Sequence, residues 1–155
     1  FRIPFFGWGL ASLRPIAIDR SSPVQALKEI KKIGLHRLQQ GNNLLVFPEG
    51  TRTPVGQIGN YARSGADIAI TAGVPIIAVA HNGGECWPHK NFLKYPGTIR
   101  VVISEPFETA GKDRKQLTEE VKNWIEGEIA KMPPARKDGI RIINSTDKTE
   151  DTAVN

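Results

Sequence analysis

Glu49-Gly50-Thr51-Arg52 puts a carboxylate, a backbone free of side chain, a hydroxyl and a guanidinium on one short stretch. Arginine grips phosphate through two parallel hydrogen bonds, and glycine lets backbone N–H groups approach an anion. The stretch therefore reads as an anion cradle. For four residues alone, the alternative is a solvated turn in which Glu49 and Arg52 pair with each other. Arg20 offers a second guanidinium. Alone it would be an ordinary surface charge, but two arginines at two strand ends of one sheet favour an anion site.

Other reactive side chains are sparse. His36 lies on the polar face of a lysine-rich segment and reads as solvated. His81, Cys86 and His89 form H-x4-C-x2-H, three donors of a kind that bind zinc. A fourth ligand at a familiar spacing is missing and Trp87-Pro88 interrupts the run, so neither a metal site nor a cofactor is expected. His81-Asn82-Gly83-Gly84 reads instead as a structured loop beside the site. Cys86 has no adjacent base and no G-x-S-x-G elbow occurs, which leaves a covalent acyl-enzyme without a nucleophile. Gly56-Gln57-Ile58-Gly59 is a G-x-x-G turn, not a nucleotide-binding loop.

Positioning these groups falls to elements legible in the pattern. Ile16-Ala17-Ile18 is a short strand ending at Asp19-Arg20. Ser22-Pro23-Val24-Gln25 predicts a capped helix start with a capping box, and Leu27, Ile30, Ile33 and Leu38 carry the helix to about Gln40, where Gly41 ends it. Leu44 to Phe47 reads as a buried strand, from which Pro48 leads into a glycine- and proline-rich loop running to about Arg63. Loops of that length tend to be functional or disordered. Ser64 and Asp67 cap a short helix to Ala72, and Pro75 to Ala80 and Thr98 to Ile103 are further strands. Leu117, Val121, Trp124, Ile125 and Ile129 mark an amphipathic helix stopped by Pro133-Pro134. Alternating strands and helices predict an α/β domain with a largely parallel central sheet flanked by helices. In such sheets ligands sit beyond the carboxyl ends of strands, where Arg20 and Glu49 to Arg52 both fall.

At 155 residues, one domain is expected, burying roughly 70% of the unfolded surface. Hydrophobic residues make up 39% and charged residues 24%, a composition that excludes collagenous, coiled-coil and wholly disordered chains. A single cysteine rules out an internal disulfide. The net charge of +5 is concentrated at the front: residues 1–63 hold nine Lys or Arg against three acids. That bias fits an anionic partner. Nucleic acid is not expected, because aromatics interleaved with the basic residues are lacking. No apolar run reaches the roughly 20 residues of a membrane span. The chain starts at Phe1 without a signal-like leader and is read as a fragment whose beginning lies upstream.

Pro15-Ile16-Ala17-Ile18-Asp19-Arg20, Phe47-Pro48-Glu49-Gly50-Thr51-Arg52 and Gly73 to Ala80, in that order, resemble three of the four sequence blocks of the glycerolipid acyltransferases, most closely the 1-acylglycerol-3-phosphate acyltransferases. The resemblance covers about Ile3 to Phe107. It implies a glycerolipid acyltransferase-like fold and transfer of a fatty acyl group from acyl-CoA or acyl-acyl carrier protein to the free hydroxyl of 1-acylglycerol-3-phosphate (lysophosphatidic acid), giving phosphatidic acid. Residues 1–134 would then be an acyltransferase domain incomplete at its N-terminus, followed by a polar, disordered tail over 135–155. By the same resemblance Arg20 and Arg52 bind the acceptor phosphate, Glu49 positions the glycerol, Gly50 and Thr51 shape the turn, and Pro75 fixes a strand entry near the acyl site.

The family's first block is H-x4-D, whose histidine is the general base. His36 is followed five positions later by Gly41, His81 by Cys86 and His89 by Lys94, so none begins that block. It is expected upstream of Phe1, leaving the fragment inactive by itself. Membrane association at the cytoplasmic face of the inner membrane is implied, with Phe1 to Trp8 and the basic early helix as candidate contacts. Acylation of another lysolipid, or a catalytically inactive anion- or membrane-binding domain, are the alternatives.

Overall fold

A computed structural model describes residues 5–16, 22–89 and 91–138. In chain order the elements are α1 (Phe6–Ser12), α2 (Pro23–Gln39), α3 (Ser64–Ala72), β1 (Val79–His81), a 3-10 turn at Gly83–Glu85, β2 (Val101–Ile103) and α4 (Arg114–Lys131). Of the expected first strand, Ile16 is described, whereas Ala17 and Ile18, like Arg20, lie outside the described residues. α1 falls in the aromatic opening, for which no element was expected.

The three longer helices form where local signals put them. Pro23 opens α2, although Ser22 makes no side-chain cap and the capping box with Gln25 does not form. At the other end Gly41 takes φ 78°. Its N–H reaches the Leu38 carbonyl at 2.9 Å and the Asn42 N–H reaches that of Arg37 at 3.1 Å, the paired closure that a left-handed residue permits. Gly73, at φ 66°, closes α3 in the same way, with Val74 N–H on the Ala69 carbonyl at 3.1 Å. The α3 N-cap is Arg63, not Ser64; Asp67, expected to help cap α3, sits in its first turn and pairs with Lys31 of α2 at 2.8 Å. Asp113 caps α4, accepting from the N–H groups of Lys115 and Gln116 at 2.6 and 3.0 Å.

α2 packs on α3, α3 on α4, and α4 on β1. Gly34 is where α2 comes closest: a Cβ there would stand 3.2 Å from Leu44 and 3.4 Å from Ile68. Leu117, Ile68, Ala69, Ala78 and Ala80 form the buried centre.

The sheet corrects the expectation of a largely parallel arrangement. Its two strands run antiparallel, with Val79 opposite Ile103 and His81 opposite Val101, and Ile76 forms an antiparallel bridge to Phe107. Parallel neighbours need a crossover, usually a helix; among the described residues of 82–100 there is the 3-10 turn, loop and the Gly97 bridge but no α-helix, so the chain doubles back. Leu44 to Phe47 is not a strand and is not buried as expected: Leu45 is 78% and Phe47 73% exposed. An apolar run records a demand for burial but not which strand will satisfy it. Among the described residues no strand lies alongside this one.

The chain does not leave the body at Pro134. Ala135 is buried, its N–H donates to the Glu85 carboxylate at 2.7 Å, and its carbonyl accepts from Thr98 N–H at 2.7 Å. Arg136 bridges to Gly97. The first residues of the expected tail are thus packed, while 139–155 lie outside the described residues.

Candidate functional site

Pro48 to Arg52 forms a tight reversal. Gly50 N–H bonds back to the Phe47 carbonyl at 3.1 Å, and Gly50 sits at φ 66°, where any side chain would be strained. The Pro48 carbonyl accepts from Ala62 N–H at 2.8 Å, which ties the turn to the far end of the long loop. That loop is therefore folded back on the turn it leaves.

Glu49 is half-buried, and its carboxylate accepts a short hydrogen bond from the Thr53 hydroxyl. The backbone of Gly59 presses on the same pair; a Cβ on Gly59 would collide with the Glu49 carboxylate and stand 2.7 Å from the Thr53 oxygen. Behind them Tyr61 is buried and donates to Glu126 of α4 at 2.9 Å. Burial first, then the Glu126 carboxylate and the nearby Glu49 charge, hold the Tyr61 phenol well above the usual tyrosine range. Thr51 and Arg52 are exposed, and among the described residues Arg52 pairs with no carboxylate. The alternative of a Glu49–Arg52 pair does not hold, because Glu49 is engaged by Thr53.

A shallow groove lies beside this turn, lined by Leu27, Lys28 and Lys31 of α2, Ala62, Arg63, Asp67 of α3 and Arg114 of α4; Asp67 pairs with Lys31, which leaves Lys28, Arg63 and Arg114 as its remaining cations. Cations from three elements thus converge next to the residue that anchors Pro48. Chemically, the arrangement offers an immobilised hydrogen-bond acceptor (Glu49), an unpaired guanidinium for a phosphate (Arg52) and a positive surround.

Of the residues singled out in the sequence, Glu49, Gly50, Thr51 and Arg52 share this turn, while Arg20 lies outside the described residues. Pro75 immediately precedes the Ile76–Phe107 bridge. Thr53, Gly59, Tyr61 and Glu126 were missed. Gly59 was visible only as half of a G-x-x-G turn, and Glu126 is 65 positions from Tyr61, beyond any local pattern. The H-x4-C-x2-H run does not gather: His81 Nδ1 accepts from Gly83 N–H at 3.1 Å, and among the described residues no group of three His, Cys, Asp or Glu side chains could hold a metal. Asn82 of the following loop is buried and bridges Arg100 N–H (2.8 Å) to the Pro133 carbonyl (3.2 Å), so this segment is a staple of the fold.

A strand-and-helix body carrying the Pro48–Arg52 turn at one of its loops is the frame in which relatives can be sought. A family model described as Acyltransferase matches residues 1–82, and the chain belongs to the acyltransferase family, as its three sequence blocks led us to expect. It is 44% identical over 138 residues to a 1-acyl-sn-glycerol-3-phosphate acyltransferase of Pseudomonas aeruginosa, covering 87% of this chain and 54% of the relative. A chloroplastic 1-acyl-sn-glycerol-3-phosphate acyltransferase of Brassica napus is 28% identical, covering 81% of this chain and 36% of that protein. The crystal structure of the 1-acyl-sn-glycerophosphate acyltransferase PlsC from Thermotoga maritima superposes with a TM-score of 0.66 at 29% identity, covering 84% of this chain and 54% of that one. The chain thus spans about half the length, or less, of these relatives.

Proposed function

We propose that this chain carries the acceptor-binding part of an O-acyltransferase that moves a fatty acyl group from acyl-CoA or acyl-acyl carrier protein to the free hydroxyl of 1-acylglycerol-3-phosphate, giving phosphatidic acid. The observation that carries this reading is the Pro48–Arg52 turn, where Glu49 is pinned by Thr53 and Gly59 while Arg52 stays unpaired among the described residues. In the reaction the acceptor hydroxyl attacks the thioester carbonyl, a base takes its proton, the C–S bond breaks, and the sulfur leaves to be protonated as the free thiol. Arg52, with Arg20, neutralises the acceptor phosphate. Glu49 accepts a hydrogen bond from the glycerol and fixes its orientation, which lowers the entropic cost of attack. No histidine of this chain begins an H-x4-D, so proton removal is assigned to a base outside its sequence.

The lysolipid acceptor resides in a bilayer, and the reading therefore includes membrane association at the cytoplasmic face. Phe5, Phe6 and Trp8 at α1 are all strongly exposed, which supports it. Among the described residues no helix is long and apolar enough to cross a membrane. Steady-state kinetics on the full-length parent protein test the site. Arg52→Ala should raise the acceptor KM by about tenfold or more, the scale of a lost charge-assisted hydrogen bond. An unchanged acceptor KM would remove Arg52 from the phosphate site.

A further inference from the structure

The connection between β1 and β2, residues 82–100, is long for an antiparallel pair and has a rigid base. Tyr95 N–H bonds the carbonyl of buried Cys86 at 2.8 Å, the Arg136 guanidinium stacks 3.9 Å from the Tyr95 ring, and Thr98 is tied to Ala135. Between these anchors the tip turns outward. Asn91 folds its side chain onto the Leu93 N–H at 2.9 Å, a local turn that presents Phe92 and Leu93 to solvent.

What the tip exposes is unusual for a surface loop. Phe92 is 91%, Leu93 61% and Trp87 57% exposed. The Lys94 ammonium lies 4.4 Å from the Trp87 ring centre and 5.5 Å from that of Phe92, gathering two aromatics under one cation. The charge within the loop has one sign: no acidic residue occurs between Glu85 and Glu105, and Glu85 is buried, whereas Lys94 and Arg100 are exposed cations; Asp138 at the loop's base is paired with Arg136. Aromatic and leucine side chains beside a lysine that can extend its ammonium toward headgroups is the composition of an interfacial anchor, and a loop without acids of its own adds no repulsion from an anionic leaflet.

We propose that the tip, Trp87 and Phe92 to Lys94, is a lipid-inserting anchor that docks this protein on anionic membranes, with Trp87, Phe92 and Leu93 entering the acyl boundary and Lys94 meeting the headgroups. The anchor is separate from the aromatic α1 and does not depend on the acyltransferase reading, since it is tested by binding alone.

The test is co-sedimentation of the 155-residue chain with phosphatidylcholine vesicles containing or lacking phosphatidylglycerol, at low and high salt. Binding is expected to need phosphatidylglycerol and to weaken with salt. The variant Phe92→Ser with Leu93→Ser should bind at least ~10-fold more weakly, because two inserted apolar side chains are lost. Its circular dichroism should be unchanged, because both side chains are exposed. Independently, in a Trp8→Phe, Trp124→Phe background, Trp87 emission should shift to the blue and be quenched by bromine-labelled lipid tails. Equal binding by the loop variant and the original chain, with loss confined to a Phe5→Ser, Trp8→Ser variant, would overturn the proposal and assign docking to α1. An unquenched Trp87 would overturn it too, as would a dimer that dissociates in the loop variant.

Discussion

Glu49 accepts from the Thr53 hydroxyl and occupies space that is free only because Gly59 has no side chain. Both supports are open to substitution. In the full-length parent, Gly59→Ala should displace the carboxylate and lower kcat by about tenfold while changing the acceptor KM less, because positioning within a bound complex is what is lost. Thr53→Val should do the same and Thr53→Ser should restore it; equal kcat values for the Val and Ser variants would show that the hydroxyl does not matter. Tyr61 carries a second residue-scale prediction. Its phenol is held protonated above the ordinary value near 10, whereas in the unfolded chain it ionises there. The stability this contributes is complete below about pH 10 and is lost as pH rises beyond it toward the raised folded value. The melting temperature should therefore fall as pH climbs past about 10, and Tyr61→Phe should blunt that fall. A pH slope identical in the variant would show that Tyr61 does not titrate as described. The sequence made Glu49 and Arg52 legible because they adjoin in one motif. It hid Thr53, Gly59 and Tyr61, whose roles exist only once the loop folds back and Ala62 meets Pro48.

The three longer helices were legible, and the direction of strand pairing was not, for a physical reason. A helix is specified by contacts within a few residues: Pro23 and Gly41 bracket α2, Gly73 closes α3, and Pro133 follows α4. Strand pairing depends on partners far apart in the chain, and the apolar runs at 44–47, 75–80 and 98–103 announce burial without naming a neighbour or a direction. Asp113 shows how local such helix signals are. Two backbone N–H bonds from Gln116 and Lys115 hold its carboxyl below the usual aspartate range. A depressed value means stability that is present above the unfolded value, near 3.9, and lost as pH falls through the folded one. Asp113→Ala should lower the melting temperature at neutral pH, and the gap from the original chain should close as pH falls below about 4. Asp113→Ser, a good neutral cap, should recover part of the loss. A gap that persists in acid would mean that the side chain stabilises α4 by something other than its charge-assisted bonds.

At the scale of the whole molecule, the two-stranded sheet is covered on one side and open on the other. Ala78 and Ala80 point into the body, whereas Ile77, Val79, Ile99, Val101 and Ile103 are all exposed. The register sets Val79 beside Ile103 and His81 beside Val101, so three of these five lie on β1 and β2, and Ile77 and Ile99 each stand two residues before a strand, a largely apolar strip rather than single scattered residues. The outer edges of β1 and β2 add unpaired backbone groups among the described residues. Contiguous apolar surface on a short, open-edged sheet favours association of copies in water. The 155-residue chain should show concentration-dependent association by sedimentation velocity, and it should persist at high salt because its driving force is apolar. Val79→Thr with Ile103→Thr keeps β-branched shape and strand preference while removing methyl groups from the cross-strand pair, so the fold should survive and association should weaken. If the doubly substituted chain associates as strongly as the original, the strip is not the contact. Salt sensitivity would instead assign the contact to the basic groove formed by Lys28, Arg63 and Arg114.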